Sequence, residues 1–175
     1  MRDVAAWDPR LHAIGVSLNI IAEDLLDPHF ATKLCGELDQ YGIAHGRLTL
    51  EITEGSLVRN HEQASEALLH LREVGVRIAV DDFGTGYSSL SYLKSLPLDY
   101  LKIDSGLSRD IAGSERERIV VQAVIDLAHS LRLDVVAEGV ETEEQLALLT
   151  AQGCRYWQGF LRSGAVKSAD LLRFI

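Results

Sequence analysis

The chain has 175 residues, 47% of them apolar, and no Gly/Ser/Pro-rich linker, so it reads as one domain spanning 1–175 with a sizeable core. Its formal net charge of -9 argues against general phosphate-backbone binding, which needs clustered Lys and Arg, and so excludes a nucleic-acid polymer as partner. No apolar run is long enough to span a bilayer and no signal peptide is visible, so a cytoplasmic protein is expected, with the widely spaced Cys35 and Cys154 as reduced thiols in or near the core.

Short β-branched runs followed by helical periodicity predict strands near 14–19, 47–53, 76–81, 99–103, 133–138 and 154–158. Asp27-Pro28 reads as N-cap and first helical residue before a helix over Phe30–Tyr41. Asn60 with Gln63, Ser114 with Glu117, and Thr142 with Gln145 have capping-box spacing. Behind these caps, Ala64, Ala67, Leu68, Leu71 and Val74 predict one core-facing stripe, and Ile119, Ala123, Val124, Leu127, Ala128 and Leu131 another. A repeated βα unit of this kind predicts an α/β fold, a TIM-like (β/α) barrel. Eight such units typically take about 250 residues, so with six strands the barrel is incomplete, about two units short.

Each predicted strand ends in a polar residue that its apolar body does not explain: Asn19, Glu51, Asp82 with Asp81, Lys102, Glu138 and Gln158. In a parallel barrel these ends converge on one face, where active sites lie. The most informative stretch is Asp81 to Ser89, entered directly from Val76–Val80. Two carboxylates about 4 Å apart repel by about 4 kcal/mol at an effective dielectric of 20, so a cation is expected between them. Adjacent strand residues point to opposite faces, so both carboxylates aim inward only if the chain turns sharply after Val80, as Gly84 and Gly86 allow.

Asn19, Glu51, Asp81, Asp82 and Glu138 offer one amide and four carboxylates, a donor set for a hard cation such as Mg²⁺ or Mn²⁺. Zinc does not fit, because none of the six histidines falls in a paired-ligand spacing. If one aspartate bridges, two ions can clamp the attacking and leaving oxygens of an in-line displacement at phosphorus, which points to phosphodiester hydrolysis. Lys102 supplies positive charge or orients the attacking water; the alternative is an interior ion pair with the carboxylates.

The segments Ser17-Leu18-Asn19, Leu50-Glu51-Ile52-Thr53-Glu54, Asp81 to Leu90, Leu101-Lys102-Ile103-Asp104, Ala137-Glu138-Gly139-Val140-Glu141 and Gln158-Gly159-Phe160 closely resemble, in order and spacing, the EAL-domain family of cyclic di-GMP phosphodiesterases. The resemblance implies that Asn19, Glu51 and Asp81 hold a first metal ion and that Asp81, Asp82 and Glu138 hold a second. It implies further that Lys102 lies beside the water nucleophile, that Glu141 and Gln158 belong to the water and ligand shell, and that Glu54 steadies the loop Asp82–Ser88. That loop resembles the segment through which such domains dimerise and meet regulatory partners, so a homodimer or other self-association is expected, with a sensor or diguanylate-cyclase-like domain upstream in the parent protein. The implied reaction opens cyclic di-GMP to linear pGpG.

Four departures stand beside these matches, one of them Ile21, where the family often has Ser. The Glu-Ala-Leu signature that names the family, with its first-metal glutamate, has no counterpart before Asn19. Ser105-Gly106-Leu107 replaces a basic and aromatic stretch, and Gly164-Ala165 a basic residue and Pro. Three readings follow: a phosphodiesterase whose 175-residue portion alone hydrolyses weakly or not at all, a degenerate module that binds cyclic di-GMP or a partner without turnover, and a barrel enzyme using Lys102 as a Schiff-base amine. The last ranks lowest, since carboxylates around a lysine keep it protonated.

Overall fold

The computed structural model describes residues 1–21, 23–59, 61–84 and 90–174. Six strands pair in parallel and in chain order: β1 (Val16–Ile20), β2 (Leu48–Thr53), β3 (Arg77–Phe83), β4 (Tyr100–Ile103), β5 (Asp134–Ala137) and β6 (Tyr156–Trp157). Helices run between them: α1 (Arg2–Ala5) before β1, α2 (Phe30–Gln40) after it, then α3 (Glu54–Arg59), α4 (His61–Glu73), α5 (Leu90–Ser95), α6 (Ser105–Ser108), α7 (Glu115–Ser130) and α8 (Glu143–Ala151). Sequential parallel strands joined by helices are the arrangement of a (β/α) barrel, of which six units are present here.

Register and the two-residue period of a strand divide the sheet into two unlike faces. Leu50 and Ile52 of β2, Ile78 and Val80 of β3, Leu101 and Ile103 of β4, and Val135 and Ala137 of β5 face the helices and are at most 1% exposed. They pack with Leu38, Leu68, Leu71 and Ile125 into the core, each such side chain stabilising the fold by about 1.5–3 kcal/mol on burial. The alternate residues line the concave face and are mostly polar: Asn19 pairs in register with Glu51, and Tyr100 with Asp134. Thr49, Arg77 and Lys102 share the parity of these residues, so the inner surface is a charged cradle.

The strand ends differ from the sequence reading by at most two residues, and β6 keeps only Tyr156 and Trp157. Thr142 and Gln145 form a complete capping box on α8, and the Ser114 hydroxyl accepts from the Glu117 N–H on α7. The Asn60 cap lies outside the described residues. Asp27-Pro28 does not start α2. The N-cap is His29, and the Asp27 carboxylate accepts from the His29 N–H at 2.9 Å and pairs with Lys33 at 2.8 Å, so the turn before the helix satisfies the aspartate locally. On α7 the buried line is Val121, Ile125 and Ala128, with Val124, Leu127 and Leu131 packed beside it as expected, while Ile119 is 64% exposed and Ala123 faces solvent. Ile119 lies two residues off that line, about 200° around the helix. Val74 falls beyond the end of α4 and is also exposed.

Cys154 is buried and Cys35 half-buried, both free, and burial pushes both thiols up from their ordinary pKa. No helix among the described residues is long and apolar enough to cross a membrane.

Candidate metal and active site

Lys102 is the centre of the site. It sits on the inner face of β4, 4% exposed, and its Nζ reaches Glu51 Oε2 at 2.6 Å, Glu138 Oε1 at 2.6 Å and Asp81 Oδ1 at 2.9 Å. Three strands thus deliver carboxylates to one ammonium. Burial works against the Lys102 charge, but the hydrogen bonds with Glu138, Glu51 and Asp81 outweigh it and hold its pKa above the ordinary lysine value. A Schiff base needs the neutral amine, so this environment disfavours that chemistry.

Carboxylates outnumber the ammonium three to one, and Asp82 adds a fourth. Burial pushes the Glu138 pKa up; Lys102 opposes this, and Asp81 and Glu51 add to the rise. The Asp82 pKa is also raised, first by burial and then by the charges of Asp81 and Asp104. One ammonium shared among several partly buried acids does not neutralise them, and the remaining negative charge favours a further cation.

The backbone at the end of β3 brings the two aspartates together. Register slips between Val80 and Phe83, and Asp82 takes a left-handed conformation with φ 56°. Aspartate tolerates that region better than most residues. The bulge re-aims a side chain that strict alternation would send to the helix side, and the Asp82 N–H donates to Asp81 Oδ1 at 3.0 Å. The expected sharp turn is present, but it is made by Asp82 itself. Carboxylate oxygens of Asp81, Asp82 and Glu138 lie within 4.8 Å of one another. An all-oxygen set of this spacing fits a hard divalent ion.

The other predicted residues fall at different distances from this centre. Gln158 lies just past β6 and donates from Nε2 to Glu138 Oε1 at 2.6 Å, joining the cluster. Glu54 opens α3, is 8% exposed, and accepts from the Gly84 N–H at 3.5 Å, at the mouth of the loop it was expected to steady; residues 85–88 of that loop lie outside the described residues. Its Oε1 is buried without a hydrogen-bond partner among the described residues. Asn19 is exposed and in register with Glu51, and among the described residues no hydrogen bond ties it to the carboxylates. Glu141 is also exposed; its N–H is held by Gln145 at 2.8 Å, while its carboxylate makes no contact with the cluster among the described residues. Sequence reasoning missed Ser108 and underrated Gln145, two buried polar side chains near the strand ends. Ser108 carries no local signal, since its partner is a carbonyl 30 residues away, whereas Gln145 is marked by its capping-box spacing from Thr142.

The fold and site define a (β/α)-barrel protein with an acidic, lysine-centred cluster at the carboxyl ends of its strands, suited to divalent cations. Residues 1–165 match the EAL domain family, and the chain belongs to it. The chain is 42% identical over 161 residues to the Cyclic di-GMP phosphodiesterase PA2567 of Pseudomonas aeruginosa, an alignment covering 92% of this chain and 27% of that protein. The crystal structure of the EAL domain of Mycobacterium smegmatis DcpA superposes with a TM-score of 0.92 at 37% identity, covering 98% of this chain and 78% of that one. BlrP1 of Klebsiella pneumoniae, in a complex with manganese and cyclic di-GMP, gives 0.78 at 35% identity over 84% of this chain and 38% of its own. The chain spans about a quarter of the length of the curated relatives it matches.

A Glu-Ala-Leu tripeptide does occur, at Glu66-Ala67-Leu68, but it lies on α4 with Glu66 in solvent and Leu68 in the core. It is a helix-surface sequence, not a ligand at a strand end.

Proposed function

We propose that this chain carries the metal-holding end of an active site that opens cyclic di-GMP to linear pGpG, with Mg²⁺ or Mn²⁺ as the ions. The observation that carries the reading is the convergence of Asp81, Asp82 and Glu138 beside Lys102 at the ends of β3, β4 and β5. In this reading those three acids hold one ion, and Asn19, Glu51 and Asp81 the other. When bound, the pair of ions neutralises charge on the attacking and leaving oxygens of an in-line displacement.

The chain's own groups divide the remaining work. Lys102 keeps its proton, so it serves to orient the attacking water and to offset phosphate charge, not to accept a proton. Gln158 fixes the Glu138 carboxylate through its amide. Glu141, on the loop after β5, would belong to the water and ligand shell, and Glu54 supports the chain at Gly84. Asn19 stands in register beside Glu51, but the first-metal glutamate of the family signature is not among residues 1–175, so these residues alone are expected to assemble the first ion site poorly and to hydrolyse slowly or not at all.

The same reading takes 1–175 as one cytoplasmic EAL-type domain that self-associates, with a sensor or diguanylate-cyclase-like domain upstream in the parent protein. Its test is to incubate the purified chain with cyclic di-GMP and Mg²⁺ or Mn²⁺, measuring pGpG by chromatography and binding by calorimetry. Slow, divalent-dependent turnover that Asp81→Asn abolishes supports the proposal. Binding without turnover that needs no divalent ion and survives Asp81→Asn supports the degenerate regulatory module instead. Neither binding nor turnover overturns both, and turnover within the usual enzymic range of about 1–10³ s⁻¹ contradicts the expected weakness.

A further inference from the structure

Among the described residues five polar side chains are buried: Glu51, Glu54, Lys102, Ser108 and Gln145. The first three belong to the cluster or to its loop. Ser108 and Gln145 touch none of the carboxylates, yet both bridge the segment after β4 to the segment after β5. The Ser108 hydroxyl, 1% exposed at the end of α6, donates to the backbone carbonyl of Glu138. Gln145 donates from Nε2 to the carbonyl of Arg109 at 2.8 Å and accepts from the N–H groups of Glu141 and Thr142 at 2.8 and 2.9 Å.

Glu138 lies one residue past the end of β5, where the ladder no longer fixes both sides of the peptide. Its N–H still donates to the Ile103 carbonyl at 3.1 Å. Its own carbonyl is met by Ser108. The next residue, Gly139, takes φ 67°, and a Cβ there would sit 2.6 Å from the Ser105 Cβ. The α6 turn also abuts the loop after β3, since a Cβ on Gly84 would run into the Leu107 side chain. The Ser105–Ser108 turn therefore touches the chain at both the second aspartate's loop and the glutamate's peptide.

Resting on the reading that Glu138 is a metal ligand, we propose that Ser108 is a positioning residue for it, fixing the glutamate peptide so that its carboxylate meets Asp81 and Asp82. Removing the hydroxyl takes the partner from a part-buried carbonyl and frees the peptide to rotate. Groups that orient metal ligands typically change affinity by about 10–100-fold when removed. Ser108 acts through the backbone, so the low end is expected.

The experiment is a Mn²⁺ titration of the intact chain, read by the paramagnetic resonance of free Mn²⁺, on wild type, Ser108→Ala, Ser108→Cys, Asp81→Asn and the remote core variant Ile43→Val. The expected result is a dissociation constant raised about tenfold in Ser108→Ala, less in Ser108→Cys, which retains a weak donor, and unchanged in Ile43→Val. A Ser108→Ala value within about twofold of wild type, or an equal shift in Ile43→Val, overturns the positioning role. If Asp81→Asn weakens Mn²⁺ while Ser108→Ala does not, only the Ser108 role fails. If Asp81→Asn leaves Mn²⁺ binding unchanged, the metal-site reading fails and the Ser108 role with it.

Discussion

At the scale of single residues, the site is governed by one ammonium among too many acids. Glu138 shows the consequence: its folded-state pKa is raised, so its ionised form is the disfavoured one in the folded protein. Linkage fixes the sign, since a raised carboxyl favours folding where it is protonated and withdraws that stability as pH climbs through its folded pKa. Replacing Glu138 by Gln removes the group that must charge. With chelator present, the thermal midpoint of Glu138→Gln relative to wild type is therefore predicted to be more favourable at pH 7.5 than at pH 4.5. The reverse order in a scanning calorimeter would show that the Lys102 pairing dominates instead.

Most of these site residues were legible in the sequence, because a polar side chain closing an apolar strand has no core-packing explanation. Glu51, Asp81, Glu138 and Lys102 meet as that rule predicts. The residues that escaped it are those whose role depends on a partner far along the chain. Ser108 looks like an ordinary serine in a short helix until the carbonyl 30 residues away is in view.

At the scale of elements, β-branched runs located all six strands, but not how they end. The bulge at Asp82 and the two-residue β6 are set by pairing with neighbours, and no local propensity reports that. The α7 stripe was legible at Val124, Leu127, Ala128 and Leu131, which lie in or against the core, but not at its N-terminal end. Ile119 is apolar enough to read as core, and only the packing of α7 against β4 and β5 shows that Val121, Ile125 and Ala128 are the residues that face inward.

The edge strand β1 carries the element-level prediction. Leu18 is 41% exposed on a strand whose outer edge has no partner among the described residues. Exposed strand edges promote pairing between chains, and a lysine placed there opposes it. The chain is expected to self-associate at micromolar concentration in light scattering, with Leu18→Lys shifting it toward monomer. A wild-type monomer, or association that Leu18→Lys leaves intact, would remove the edge as the driving surface.

At the scale of the whole molecule, an apolar layer between sheet and helices holds a concave polar face, and the strand ends gather acids at one rim of it. The C-terminal turn Ser168–Phe174 meets the N-terminal turn Pro9–Leu11, bringing the two ends of the chain together. The repeat count and strand order were readable as a barrel pattern from the sequence. The polarity of the inner face was not emphasised by it, because alternation becomes visible only once register pairs Asn19 with Glu51 and Tyr100 with Asp134.

The most direct measurement is anomalous diffraction from crystals of the chain soaked in Mn²⁺. The account predicts an anomalous peak bonded to carboxylate oxygens of Asp81, Asp82 and Glu138, at about 2.0–2.2 Å as for a small hard cation. Well-ordered carboxylates with no peak among them at saturating Mn²⁺ would contradict it.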